Sequence, residues 1–201
     1  MVNQYRYCVQ KSTRYMFNEG QLGQANGTGF TKLKDYIDSK ALFDVNVNTA
    51  DVIDKFFDGY FMDAAEPMRE YFNELQTYLS YLQDTYPNIL TGSIYETISK
   101  TESGELLFWK KKTMTGYMEY IDKAYAAIEK YKTSDVALYN KLYDNITIES
   151  LFPRYVLCKY YDGTFSPDEI TAMRKAFKND CVRLGNTYER EHEYMTALYS
   201  A

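Results

Sequence analysis

Glu19 is the side chain whose surroundings most resemble a chemical site. It opens a run from Gly20 to Gly29 containing four glycines, a composition that makes an irregular loop. Gln21, Gln24 and Asn26 in that loop carry amides able to hydrogen-bond hydroxyl groups. Just upstream, Tyr15 offers a ring whose face can bury against a sugar while its hydroxyl stays wet. A carboxylate, three amides and a ring suit a polyhydroxylated ligand. Glycosidic hydrolysis normally takes two carboxyl groups flanking the scissile bond, and the sequence assigns Glu19 no partner. Amides in a glycine-rich loop are equally well explained as turn and solvent contacts. The loop lacks the Lys followed by Ser or Thr that grips a nucleoside triphosphate, and it lacks the dinucleotide fingerprint, so no cofactor is implied.

Other reactive residues are scattered. His192 is the sole histidine, with Glu189 and Glu193 near it. One imidazole and two carboxylates more often make a surface group than a metal site, and no metal is expected. Cys8, Cys158 and Cys181 are odd in number and lack a metal or redox spacing, so they read as buried free thiols. Of the 22 tyrosines, Tyr15, Tyr60, Tyr71, Tyr78 and Tyr81 are the candidates for a ring platform, although at helical spacing such rings mostly enlarge a core. Asn26-Gly27-Thr28 and Asn145-Ile146-Thr147 match the glycosylation acceptor with low specificity.

A net charge of -5 and only a three-residue basic run, Lys110 to Lys112, argue against nucleic acid as a partner. No apolar stretch is long enough to span a membrane and no leader pattern opens the chain, so a soluble product is expected, with export of a longer parent left open.

The elements that must position these residues are mainly helical. Val52, Ile53, Phe56, Phe57, Tyr60 and Phe61 share one helical face, and Met68, Tyr71, Phe72, Leu75, Tyr78, Leu79 and Leu82 share another. Thr49 and Asp63 are the candidate caps of these two helices, and Gly59 suggests a close approach by another element. Further helices are predicted from Phe30 to Phe43, Glu105 to Tyr131, Asp135 to Tyr143 and Ser150 to Tyr161, with Pro153 in the first turn of the last. Ser166-Pro167-Asp168-Glu169 is a capping box that starts a helix reaching Leu184, and Gly185 ends or bends it before Tyr188 to Leu198. Thr13 to Phe17 is the one strand candidate near the start. The expected fold is an irregular all-α array or bundle with that short strand. Residues 1–48 would form a first segment, packed with a helical domain over 49–201.

The order Tyr15-Met16-Phe17-Asn18-Glu19-Gly20, then Phe30, Leu33 and Tyr36, Lys40-Ala41-Leu42-Phe43-Asp44, Asp51 to Tyr60 and Ala64 to Tyr71 resembles the C-terminal portion of a bacterial family of unknown function, number 4838. The resemblance covers Tyr15 to Tyr86 and returns at Phe177 to Leu184. It implies a carbohydrate-active β/α barrel followed by helices, loosely grouped with glucuronidase-like and hexosaminidase-like glycoside hydrolases. Thr13 to Phe17 would be the last barrel strand and Phe30 to Phe43 its closing helix. Glu19 would then lie where barrel enzymes gather their chemistry.

Three readings follow. The first is a non-catalytic, carbohydrate-associated C-terminal module of a glycoside-hydrolase-like protein, with a carbohydrate or an upstream barrel as partner. The second is part of a glycoside hydrolase whose truncated barrel is otherwise missing, with Glu19 near the sugar. The third is a helical domain that binds a protein partner. The isolated chain is expected to leave aryl glycosides and uronic-acid oligosaccharides uncleaved at mildly acidic to neutral pH. Turnover by the wild type that disappears in folded Glu19→Gln would refute this.

Overall fold

The computed structural model describes residues 2–13, 15–16, 29–86, 106, 108–190 and 193–194. The described fold is mainly α, an irregular multi-helix bundle. Its helices are α1 (Val2–Gln10), α2 (Thr31–Phe43), α3 (Thr49–Phe61), α4 (Ala65–Thr85), α5 (Lys111–Ile128), α6 (Tyr131–Ser134), α7 (Val136–Tyr160) and α8 (Pro167–Arg183).

The two apolar stripes build the centre. Phe56, Phe57 and Phe61 of α3 and Met68, Tyr71, Leu75 and Leu82 of α4 are buried in one cluster, against Met114, Tyr117, Ile121 and Ile128 of α5. Ile146, Val156 and Leu157 of α7 close it from the other side. Tyr117 of α5 and Trp109 just before that helix are core residues too. Aromatic rings fill much of this space in tilted and edge-on pairs, such as Phe30 to Phe72 at 5.1 Å and Tyr71 to Tyr117 at 4.9 Å.

Two smaller clusters flank the core. Ile148, Leu151 and Cys158 of α7 meet Phe177 and Cys181 of α8. Val2 and Tyr5 of α1 meet Ala41 of α2. The guanidinium of Arg6 clasps the turn after α2, donating to the carbonyls of Val45 at 2.8 Å and Val47 at 3.0 Å. The Tyr5 hydroxyl donates to Asp38 at 2.9 Å.

The caps refine the predicted boundaries. Ser166 and Glu169 form the full capping box of α8 with Pro167 at its start. Asn48, one residue before Thr49, caps α3 by accepting from the Ala50 amide at 3.1 Å. Asp63 does not cap α4. A 3-10 turn over Met62–Ala64 leads into that helix, and Asp63 instead bonds Lys130 and Tyr131 beyond α5. Gly185 ends α8, with φ of 70° and the Asn186 amide reaching back to the Cys181 carbonyl at 2.8 Å.

Several expectations are corrected. Thr13, Tyr15 and Met16 form no strand. A helix, α1, precedes them and closes in the same reach-back pattern, with Ser12 at φ 59° and the Thr13 amide on the Cys8 carbonyl. Tyr15 is 93% exposed, so nothing buries the face a strand would need. Tyr188–Arg190 pairs antiparallel with Glu193–Tyr194 where a helix was expected, and among the described residues this hairpin is the only sheet. No barrel strand is found among them.

Helix α5 begins at Lys111 and not near Glu105, because tertiary bonds hold the preceding residues in another shape. The Tyr161 hydroxyl accepts from the Leu106 amide at 3.2 Å and donates to the Trp109 carbonyl at 2.9 Å, while Tyr78 donates to the Phe108 carbonyl. The two helices expected at Asp135 to Tyr143 and Ser150 to Tyr161 are one, α7, with Pro153 inside it. Gly59 lies exposed in α3, and a Cβ there would meet nothing within 4 Å, so no close approach requires it.

Phe57 and Gly59 therefore move stability in opposite directions. Phe57→Ala empties a 98%-buried position and is expected to cost about 2 to 5 kcal/mol in urea unfolding. Gly59→Ala removes backbone freedom from the unfolded chain at no steric cost, for a gain of about 0.5 to 1 kcal/mol. A loss of stability in Gly59→Ala would contradict the open surroundings of that residue.

Candidate functional site

Pro153 determines where polar groups enter the core. A proline has no amide hydrogen, so within α7 the carbonyl four residues earlier loses its helical donor. That carbonyl belongs to Glu149, and the Tyr71 hydroxyl of α4 donates to it at 3.4 Å. Around this break Thr147, Glu149 and Ser150 are all buried. The Thr147 hydroxyl bonds the Tyr143 carbonyl at 2.6 Å and the Tyr125 hydroxyl at 2.8 Å. Ser150 donates to the Thr147 carbonyl at 2.7 Å. Each of these groups has a partner, as burial demands.

Glu149 is the unusual member, a carboxyl 1% exposed in the middle of a helix. Its Oε2 accepts the Phe30 amide at 2.8 Å, across 119 residues of chain. Phe30 and the preceding Gly29 both have left-handed backbones, φ 58° and 69°, and this turn aims the amide into the core just before α2 begins. The helix has no capping side chain of its own, and a carboxyl from α7 accepts the amide that precedes its first turn. Burial pushes the Glu149 carboxyl up to about 7, opposed by the amides of Phe30 and Gly29 and by the Lys34 ammonium. Burial first, and then the Glu149 charge, push the Tyr60 hydroxyl up to about 12. The same two causes, with Tyr117 added, raise Tyr71 well above the usual phenol range.

A cleft of about 160 Å³ lies over this region, lined by Lys32 of α2, Tyr60 of α3, Asp144, Asn145 and Ile148 of α7, and Arg183 and Leu184 at the end of α8. Its polar groups are largely engaged. Arg183 bonds Asp144 and, at 3.0 Å, Asp180. The Asn145 amide donates to the Tyr60 carbonyl at 2.8 Å. Asp180 also holds Arg154 at 2.7 Å, so a chain of charges fastens α8 to α7. What this arrangement does chemically is fix helices to one another. Its one core carboxyl is turned to backbone amides.

Of the sequence-predicted site residues, Glu19, Gln21, Gln24 and Asn26 lie outside the described residues, as does His192. Tyr15 is described, and its ring is exposed. Among the other candidate platform rings Tyr71 is buried, Tyr60 and Tyr78 are packed on the core and Tyr81 is half-exposed. Asn145 and Thr147 are committed to internal bonds, which removes them as a glycosylation acceptor in the folded chain. Cys158 and Cys181 are buried and Cys8 is half-buried, none of them in a disulfide. No group of three His, Cys, Asp or Glu side chains among the described residues could hold a metal ion, and no helix among them is long and apolar enough to cross a membrane. Sequence reasoning passed over Glu149 and placed Pro153 in the first turn of a separate helix, whereas it lies inside α7. The signal was a lone acid inside the otherwise uncharged stretch Asn145 to Pro153, four residues before that proline.

The sequence model of a family described as a domain of unknown function (DUF4838) matches residues 1–73. No curated protein and no solved structure matches the chain. The family match corrects the resemblance drawn from the sequence. It occupies the N-terminal part of this chain, starts before the supposed barrel strand and stops within α4, reaching neither Tyr86 nor Phe177 to Leu184. With helix α1 inside the match and no barrel among the described residues, the reading as the C-terminal portion of a truncated, glycoside-hydrolase-like barrel is overturned. The carbohydrate-associated module and the glycosidase fragment with Glu19 at its sugar site fall with it.

The proline break makes a prediction of its own. Tyr71→Phe removes the hydroxyl that bonds the Glu149 carbonyl and is expected to cost about 1 kcal/mol. Pro153→Ala gives that carbonyl a helical donor again, so in its background the cost of Tyr71→Phe should shrink by about half or more in a double-mutant cycle. Strict additivity would show that Tyr71 does not stand in for the missing amide.

Proposed function

We propose that this chain is a non-catalytic binding module that meets a protein partner through the outer surfaces of α1 and α2. The observation that carries this reading is where the large exposed apolar side chains lie. Tyr7 and Val9 of α1, Leu42 and Phe43 of α2, and Tyr15 and Met16 between them make up six of the ten among the described residues. Phe43 is 94% exposed although it closes a helix whose other face is buried. Singly exposed apolar residues are ordinary on soluble proteins, but a concentration on one packed pair of helices marks a surface for a partner.

Two features support the rest of the reading. Arg6 and Tyr5 fix α1 to α2 and to the turn after it, so the pair offers a prearranged surface whose ordering cost is already met. The buried polar groups around Pro153 are consumed by structural bonds, leaving the core carboxyl turned inward.

A photo-crosslinking amino acid placed at Phe43, and as a control at exposed Val136 on α7, tests this in cells that make the protein. The Phe43 position is expected to yield one dominant protein adduct that the Val136 position does not. That partner, purified, should bind wild type at least about tenfold more tightly than folded Leu42→Lys/Phe43→Lys, a loss of about 1.4 kcal/mol. Equal crosslinking from both positions, or binding indifferent to the double substitution, would refute the proposal.

A further inference from the structure

We propose that Glu149 is a pH-governed latch at the root of α2, whose neutral carboxyl keeps the Gly29–Phe30 turn seated on α7 and whose ionisation loosens that seat. The geometry supplies each part. The carboxyl is 1% exposed and bonds the Phe30 amide at 2.8 Å. A charge there is cut off from water unless the turn lifts. The turn has a reason to move, since Phe30 is a non-glycine residue held in the left-handed region. It also has a reason to stay, because the Phe30 ring is buried against Phe57, Tyr71 and Phe72. Two opposed contributions acting on one turn give an element that a proton can bias.

Ionisable groups face Glu149 from the helices packed against it. From α2 it is faced by Lys34, from α3 by Tyr60 and from α4 by Tyr71, with Tyr117 of α5 behind Tyr71. Lys32 and the paired Arg183 and Asp144 line the cleft outside. Burial lifts the carboxyl from its ordinary 4.5 to about 7 in the fold. The folded chain therefore holds this proton more tightly than the unfolded chain. Its contribution to stability is fully present below the ordinary value, falls as pH rises from there to about 7, and stays lost above that. The Phe30 and Gly29 amides and Lys34 act against this trend and limit its size.

Urea unfolding and amide exchange of the full chain, followed from about pH 5 to about pH 8, test the latch in wild type, Glu149→Gln and His192→Gln. The glutamine keeps an acceptor for the Phe30 amide and does not ionise. His192 is replaced because it is the chain's one histidine, a residue type whose ordinary range overlaps this window. Wild type and His192→Gln should lose unfolding midpoint as pH rises, and the protection of the Phe30 amide, corrected for intrinsic exchange, should fall by on the order of tenfold or more. Glu149→Gln should show neither change. The carboxyl carbon of Glu149, followed by NMR in the wild type, should titrate near neutrality, and this reading does not depend on any variant folding. A carboxyl titrating in the ordinary range, or a pH dependence identical in Glu149→Gln, would overturn the proposal.

Discussion

The bond between the Glu149 carboxyl and the Phe30 amide joins the two halves of the molecule where neither could be complete alone. Helix α2 starts without a capping side chain of its own. Helix α7 carries a carboxyl that would be ruinous in an apolar core without donors. Each supplies what the other lacks at 2.8 Å. Once Phe30 is held there, its ring seats among Phe57, Tyr71 and Phe72, and α3 and α4 are fixed against the same point. Tyr71 then reaches the carbonyl that Pro153 leaves open, so one helix defect serves as the junction for four helices.

The helices outside this junction are attached differently. Helix α8 has its own small apolar cluster with α7, and Arg154, Asp180, Arg183 and Asp144 run along the seam. Arg154 and Asp180 are shielded, with side chains 16% and 19% exposed, whereas the Arg183 to Asp144 end is open to solvent. Open ion pairs add little to stability and fade with salt, so the apolar contacts of Phe177 and Cys181 are what hold α8. At the other end α1 rests on three buried side chains and the Arg6 clasp. The chain is therefore firm at the α3, α4, α5 and α7 core and more lightly held toward both flanks. Large apolar side chains stand in water on α1 and at the C-terminal end of α2.

What the sequence determined by itself was local. Apolar spacing in α3 and α4 identified the residues that are buried, because a 3.6-residue period has one inward face whatever it packs on. The Ser166 box fixed the start of α8 and Gly185 its end, since both signals act within a single turn. The fold class followed from these. The tertiary structure decided everything that depended on a partner far along the chain. It shifted the start of α5, because Tyr161 and Tyr78 hold Leu106, Phe108 and Trp109 out of the helix. It let α7 run through Pro153, because a tyrosine hydroxyl 78 residues away bonds the orphaned carbonyl. It also turned Glu149, an acid between two predicted helices, into the group around which the polar core is built. A carboxyl's chemistry is set by its solvent and its donors, and those come from α2, α3 and α4, elements that no window of sequence around residue 149 contains.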